Sequence, residues 1–447
     1  MPDHICIVAI NLRSQDDRYA RYQQDSAIKK IHFLSQLIQR LCAELTLKAP
    51  QSMWIVGWRE YGVTGANTRT ITSAEKAAFK QVMLKLTQRY RQLTIIAGTV
   101  ASIKSFKNYL CKKRLRQIRE FYASSAWISQ LENNSEVGCE YEQHLKQVLS
   151  FQKMQLARIN VLRNTAYVFQ HQQIYRHDKC APFAENIDLD NQIIPFTIWQ
   201  PAKDKNRSAV FNLTHPISGK PVSIGVEICR EHVFGVLKSM DADIDLHFLL
   251  SASMHIKTRM LAAPWTVHLD KYYSTKLVKN LNQPSNFMVD IHETHPLKRS
   301  QPILRGPIKI LVPFEHRIIC ALNETITNLS DQPYKLTLKL IALRDEIIRI
   351  FAQERENIQW ICQDLLQVMA ETQNKINDFP QSYLKFFLFP KKPSVPTNML
   401  DNLKHMVQVE AAQHPHRLDV YQTKLSPLKR KTVETEDPPA KRQKRLA

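Results

Sequence analysis

The chain carries one cysteine placed for chemistry. Val222-Ser223-Ile224-Gly225-Val226-Glu227-Ile228 is a β-rich apolar run, Cys229 ends it, and Arg230-Glu231-His232 opens a charged, helix-like segment. Such strand-to-helix turns are expected to expose a side chain while a rigid sheet holds it still. A thiol attacks a carbonyl or nitrile carbon only as thiolate, so it needs a base, and the negative charge that develops needs a fixed donor. Two other strand ends offer these groups. Glu60 follows Ile55-Val56-Gly57-Trp58, and Lys179 follows Tyr175-Arg176-His177-Asp178. A carboxylate in a cleft poor in water is a competent base, and an ammonium stabilises an oxyanion. Taken singly, each residue has a plainer reading: Cys229 as a small buried apolar residue, Glu60 as a loop acid, Lys179 as a surface lysine.

The elements that would position them alternate. Ile5–Ile10 reads as a buried strand and Ser26–Leu47 as a helix with an apolar stripe. Met53–Gly57 is a strand, Thr72–Leu93 a helix with Ser73 as N-cap, and Thr94–Val100 a strand. From Lys104 to about Asn160 the rhythm breaks into polar, helix-prone sequence with a basic run at Lys112, Lys113, Arg114, Arg116 and Arg119. Thr165–Phe169 and Ile174–Arg176 form a hairpin, Phe196–Gln200, Ala209–Leu213 and Val222–Ile228 continue the sheet, Val233–Met240 is helical, and His247–Ser251 is a strand. This β-α-β-α-β order indicates an α/β protein.

In their order, Glu60-Tyr61, then Asn164-Thr165-Ala166 leading to Lys179, then Gly225-Val226-Glu227-Ile228-Cys229-Arg230-Glu231, resemble the Glu, Lys and Cys motifs of the carbon–nitrogen hydrolase (nitrilase) superfamily. The resemblance covers about residues 4 to 310. It departs from the family pattern at Arg59, where a proline is usual, in the four-residue step from Tyr175 to Lys179, and at Glu231, where an aspartate is usual. The resemblance implies a four-layer α-β-β-α nitrilase-like sandwich, a homodimer, and catalysis by Glu60, Lys179 and Cys229. It also implies a small amide, nitrile or carbamoyl substrate and no cofactor. Glu185, six residues after Lys179, is a candidate for the second acid that the family places near lysine and substrate.

Domain expectations follow: a hydrolase domain over 1–325 with a helical insertion at about 101–162, a helical extension over 326–390, and a largely disordered basic tail over 391–447. In the extension, Leu336, Leu340, Leu343, Ile347, Ile350, Ile358, Ile361, Leu365 and Val368 keep helical spacing. The tail ends in Pro438-Pro439-Ala440-Lys441-Arg442-Gln443-Lys444-Arg445. Its residues Lys441, Arg442, Lys444 and Arg445 resemble a nuclear localisation signal read by an import receptor, which implies a cytoplasmic or nuclear protein. A solvated polybasic end is the plainer reading of the same residues.

Composition narrows the classes further. Of 447 residues, 62 are Lys or Arg against 41 Asp or Glu, a net charge of +21. That favours anionic partners, although no nucleic-acid motif is present. With 9 glycines and neither GxGxxG nor GxxxxGK[ST], the common nucleotide loops are absent. The 8 cysteines form no CxxC pair, so a zinc knuckle is not expected. His177 and Cys180 are spaced as a ligand pair, but no second pair completes a site, and His232 is likewise not read as a ligand. No signal-type stretch or transmembrane run is expected, and reduced thiols follow as the default. The alternative to a hydrolase is a nitrilase-like scaffold without catalysis, holding nucleic acid or an acidic protein through its basic insertion and tail.

Overall fold

The structure is a computed structural model. It describes residues 3–12, 22–66, 70–124, 135–181, 196–199, 209–240, 242–252, 254–270, 274–294, 304, 307–328, 334–352, 358–377 and 395–412. Contacts divide the chain into two units, Met1–Arg317 and Ile318–Ala447.

The first unit is mixed α/β with two sheets. Its elements are β1 (Asp3–Ile10), α1 (Ala27–Lys48), β2 (Met53–Trp58), β3 (Thr70–Ile71), α2 (Ser73–Arg89), β4 (Leu93–Lys107), α3 (Asn108–Ser124), α4 (Ser135–Lys153), β5 (Arg158–Gln170), β6 (Gln173–Asp178) and β7 (Thr197–Trp199). There follow β8 (Val210–Thr214), β9 (Pro221–Ile228), α5 (Glu231–Phe234), β10 (Leu246–Leu250), β11 (Trp265–Leu269), β12 (Lys276–Lys279), β13 (Phe287–Thr294) and β14 (Ile310–Leu311). The helix α6 (Phe314–Asn328) begins in this unit.

The first sheet runs β13-β1-β2-β4-β5-β6, with β3 and β7 joined to β4 and β5; the second runs β14-β12-β11-β10-β9-β8. β13, β1, β2 and β4 are parallel, and the β4-β5-β6 meander is antiparallel. In the second sheet β9, β10 and β11 are parallel.

Strand alternation decides which face meets which. Ile5, Ile7, Ile55, Ala166 and Val168 of the first sheet share one buried cluster with Ile224, Val226, Ile228, Phe248 and Val267 of the second. The sheets therefore pack face to face, as a period of two dictates for strands buried on both sides. The opposite face of the first sheet presents Val8, Val56, Ile95 and Phe169 to Ile31, Leu34, Ile38 and Leu41 of α1 and to Phe79 and Met83 of α2. On the outer face of the second sheet the described segments are shorter. Leu237, Ile244, Ala262 and Ala263 cluster there beside the four-residue helix α5.

Several boundaries differ from the sequence expectation. Thr72, not Ser73, caps α2: its hydroxyl accepts from Glu75 N–H while the Glu75 carboxylate accepts from Thr72 N–H, a reciprocal capping box. The helix expected over 233–240 stops at Phe234, because Gly235 takes a left-handed conformation (φ 60°) and ends it. The largest difference is at the insertion. β4 and β5 pair from Thr94↔Gln170 out to Lys107↔Arg158, so strands occupy both margins of the stretch expected to be helical. The helices α3 and α4 then sit on this projecting hairpin, around Cys111, Leu115, Ile118, Val148, Ile159 and Val161.

In the second unit α7 (Tyr334–Ala352), α8 (Ile358–Asn377) and α9 (Val395–Ala412) follow. α8 packs against both α7 and α9. Their buried residues include Leu340, Leu343, Ile347, Leu365, Met369, Leu403 and Val407. A helix at Val395–Ala412 thus lies within the stretch expected to be largely disordered.

Candidate active site

The ends of β2 and β6 meet beside the middle of β5. Glu60 and Lys179 are each 2% exposed and pair at 3.2 Å between Lys179 Nζ and Glu60 Oε1. Asn164, 1% exposed in the middle of β5, organises both. Its Nδ2 donates to Glu60 Oε1 at 2.9 Å and to the Tyr61 hydroxyl at 3.1 Å, while its backbone carbonyl accepts from Lys179 backbone N–H at 2.9 Å. Asn164 points the same way as Ala166 and Val168, into the space between the sheets.

The backbone that carries Glu60 is held tightly. Tyr61 is left-handed (φ 54°), and its N–H donates to Thr99 Oγ1 at 3.1 Å. β4 bulges between Ala97 and Thr99 at that point. A Cβ added to Gly98 would sit 1.8 Å from Arg59 O, so only glycine lets the two chains approach.

Cys229 comes from the second sheet. It is 7% exposed and left-handed (φ 49°), and its N–H donates to Leu250 O at 2.8 Å. A non-glycine residue in this conformation is strained and persists only where its surroundings hold it.

Glu231 supplies the hold, and its carboxylate joins the two sheets. Oε1 accepts from Cys180 N–H at 2.6 Å, and Oε2 accepts from Ile228 N–H at 2.7 Å and contacts His177 Nε2 at 2.8 Å. Lys179 lies between His177 and Cys180 in the chain, and Cys229 lies between Ile228 and Glu231, so one buried carboxylate ties the lysine segment to the cysteine turn. Burial alone would raise the Glu231 carboxyl, but the charge and hydrogen bond of His177 outweigh it and hold the group below its ordinary 4.5. Burial likewise works against a charged His177, and Glu231 overcomes it, holding the imidazole above its ordinary 6.5.

A second buried network lies on the outer face of the second sheet. Glu227 Oε2 meets His232 Nδ1 at 2.7 Å, and Glu227 Oε1 accepts from Leu237 N–H at 2.8 Å. His247 Nε2 lies 3.0 Å from Glu227 Oε2, near enough for charge attraction but outside hydrogen-bonding geometry. Burial opposes the charge on Glu227, yet His247 and His232 hold its carboxyl well below the ordinary range.

Glu227, His232 and His247 are close enough together to ligate a metal ion. The tautomer argues against it. Lys257 N–H donates to His232 Nε2 at 3.1 Å, which uses that lone pair and leaves the proton on Nδ1, facing Glu227. Glu227 and His232 are therefore built as a hydrogen-bonded brace of the turn after Cys229, with His247 beside them. Ser251, His268 and Asp270 form another buried trio, in which Ser251 Oγ donates to Asp270 Oδ2 and contacts His268 Nε2 at 2.8 Å. A serine that donates to the acid is not being deprotonated by the histidine, so this is no nucleophile.

Of the residues singled out in the sequence, Glu60 and Lys179 are in contact, and Cys229 stands on the turn that Glu231 ties to them. Glu185 and the tail residues Lys441, Arg442, Lys444 and Arg445 lie outside the described residues. Sequence reasoning took Asn164 as part of a strand motif and Glu231 as a family variant, and missed their bracing roles. It passed over Glu227, although an acid within Val226-Glu227-Ile228 is itself a signal of a buried, partnered carboxylate.

No family model matches the chain, and no curated protein does. Among solved structures, a glutamine-dependent NAD+ synthetase from Acinetobacter baumannii in complex with adenosine diphosphate aligns over 87% of this chain and 72% of its own length. The two share 10% identity at a TM-score of 0.29, which is too low for any inference.

Proposed function

We propose that the chain is a cysteine-dependent hydrolase of a non-peptide carbon–nitrogen bond, of the nitrilase type. The observation that carries this reading is the Glu231 clamp, which seats the Cys229 turn against the segment bearing Lys179 and, through Lys179 and Asn164, against Glu60. In the proposed reaction Glu60 takes the thiol proton and the Cys229 sulfur attacks the substrate carbon. Lys179 stabilises the negative charge that forms on the substrate heteroatom. With an amide, the leaving nitrogen takes the proton from Glu60 as the C–N bond breaks, and a thioester remains. Glu60 then deprotonates water, which attacks the thioester and returns the thiol. Burial of the Glu60–Lys179 pair favours this electrostatic work, because water does not screen it. As in the family it resembles, the active form would be a homodimer.

The test is a panel of amides, nitriles and carbamoyl compounds offered to wild type and Cys229→Ala. Turnover of one class by wild type, and none by a folded Cys229→Ala, is expected. Retained turnover in the variant refutes the reading.

A further inference from the structure

The catalytic proposal leaves the basic insertion unused. Between Lys104 and Glu120 the chain carries seven cations, Lys104, Lys107, Lys112, Lys113, Arg114, Arg116 and Arg119, against the single acid Glu120. The structure places them on one projecting arm. Lys107 and Arg158 are cross-strand neighbours at the far end of the β4–β5 hairpin, where Arg158 also donates to Ser105 Oγ at 3.1 Å. α3 continues the arm. Its apolar side, Cys111, Leu115 and Ile118, is buried against the hairpin and α4. At about 100° per residue, Tyr109, Lys112, Lys113, Arg116 and Arg119 fall within one arc on the other side. These four cations are exposed, and Tyr109 is 73% exposed. Among the described residues none of the four forms an ion pair.

From this juxtaposition we propose that the exposed face of α3, with Lys107 and Arg158, is a binding surface for single-stranded nucleic acid. The cations track phosphates and Tyr109 offers a ring on which a base stacks, the combination used by sequence-tolerant single-strand sites. The four helix cations span about 10 Å at 1.5 Å per residue. A polyanion is the ligand that neutralises Lys107, Arg158 and the helix face, whose four cations form no ion pair among the described residues. An anionic membrane fits less well, because Cys111, Leu115 and Ile118 are buried and, among the described side chains of α3, only Tyr109 and Leu110 are large, apolar and exposed. Beside this face Arg114 lies over the Phe106 ring, with its guanidinium carbon 4.8 Å from the centroid. This surface is independent of the hydrolase reading and stands or falls separately.

The experiment uses the full chain and fluorescence anisotropy with a single-stranded RNA, the matching single-stranded DNA, and a duplex. Three variants are compared with wild type: the arm variant K112Q/K113Q/R116Q/R119Q, Tyr109→Ala, and the tail variant K441Q/R442Q/K444Q/R445Q. Four phosphate contacts on a single strand contribute about −2.8 to the slope of log affinity against log salt. Between about 50 and 200 mM salt that is roughly a 50-fold weakening which the arm variant lacks. Tyr109→Ala is expected to lose about tenfold in affinity for single strands with an unchanged salt slope, since stacking is not a charge effect. The tail variant is expected to keep the arm's share of the slope. A slope unaffected by the arm variant overturns the proposal, as does equal affinity for the duplex with no effect of Tyr109→Ala. Equally tight binding to poly-glutamate or to anionic vesicles also overturns it.

Discussion

Replacing Glu231 tests whether one carboxylate seats the cysteine turn. The side chain is fully buried and receives two backbone N–H groups, from Cys180 and Ile228, and one imidazole. Glu231→Ala removes every acceptor and leaves both N–H groups and His177 without this partner. Hydrogen bonds to a charged group contribute about 1.5–3 kcal/mol each, and breaking a buried charged pair costs about 3–5 kcal/mol, so a loss of roughly 4 kcal/mol or more is expected. Glu231→Gln is the sharper change. It keeps the volume and one oxygen, but turns an NH2 donor toward a backbone donor, and should cost roughly 2–4 kcal/mol. The functional readout is alkylation of Cys229 by iodoacetamide, followed by mass spectrometry at each cysteine. A displacement of about 1 Å between reacting groups costs on the order of 100-fold. Cys229 in Glu231→Gln should therefore react at least tenfold more slowly than in wild type, while Cys180 becomes more accessible as its segment loosens. Denaturant melts of the same samples measure the stability loss. If Glu231→Gln unfolds within about 1 kcal/mol of wild type and Cys229 reacts at the wild-type rate, the clamp does not position the nucleophile.

Three further outcomes follow from the same geometry. Gly98→Ala places a methyl against Arg59 O, so the Glu60 segment must move; at least a tenfold loss of turnover is expected, and unchanged kinetics in a folded variant would contradict the close approach. Asn164→Ala removes the donor shared by Glu60 and Tyr61 and should shift the pH profile of Cys229 alkylation, whereas Asn164→Gln should be partly rescued; an unaltered profile in Asn164→Ala removes that residue from the argument. The His177–Glu231 pair gives stability a defined pH window. The folded imidazole is raised, so its share is full below about 6.5 and is lost as pH rises through the folded value. The folded carboxyl is lowered, so its share is full above about 4.5 and is lost as pH falls through the folded value. The stability advantage of wild type over His177→Gln should therefore be greatest between these limits and shrink toward alkaline pH in denaturant melts; a difference constant from about pH 6 to pH 9 would show that the imidazole is not held charged.

Much of the first unit was legible because its signals are local. Apolar runs at Ile5–Ile10, Met53–Gly57 and Val222–Ile228 read as buried strands, and the stripe through Ile31, Leu34, Ile38 and Leu41 as a helix face, and they are such. The errors arose where a distant partner decides. Thr72 rather than Ser73 caps α2 because its reciprocal bond with Glu75 is the better one. β4 runs on to Lys107 because β5 pairs with it all the way, a gain invisible in polar sequence such as Lys104-Ser105-Phe106-Lys107. The helix after Cys229 stops early because Gly235 turns left-handed and Glu227 captures Leu237 N–H.

The sequence by itself determined which residue types stand at strand ends. Side-chain alternation and turn chemistry are properties of a few neighbouring residues, so Glu60, Lys179 and Cys229 could be singled out from their own segments. Only the tertiary structure decided what holds them. Glu60 and Lys179 are 119 residues apart in the chain, and Cys180 and Glu231 are 51 apart. Contacts of that range depend on the register of two sheets and on a glycine that lets one strand press on another. A buried carboxylate is tolerated only when several donors converge on it, and that convergence is a fact of three-dimensional packing.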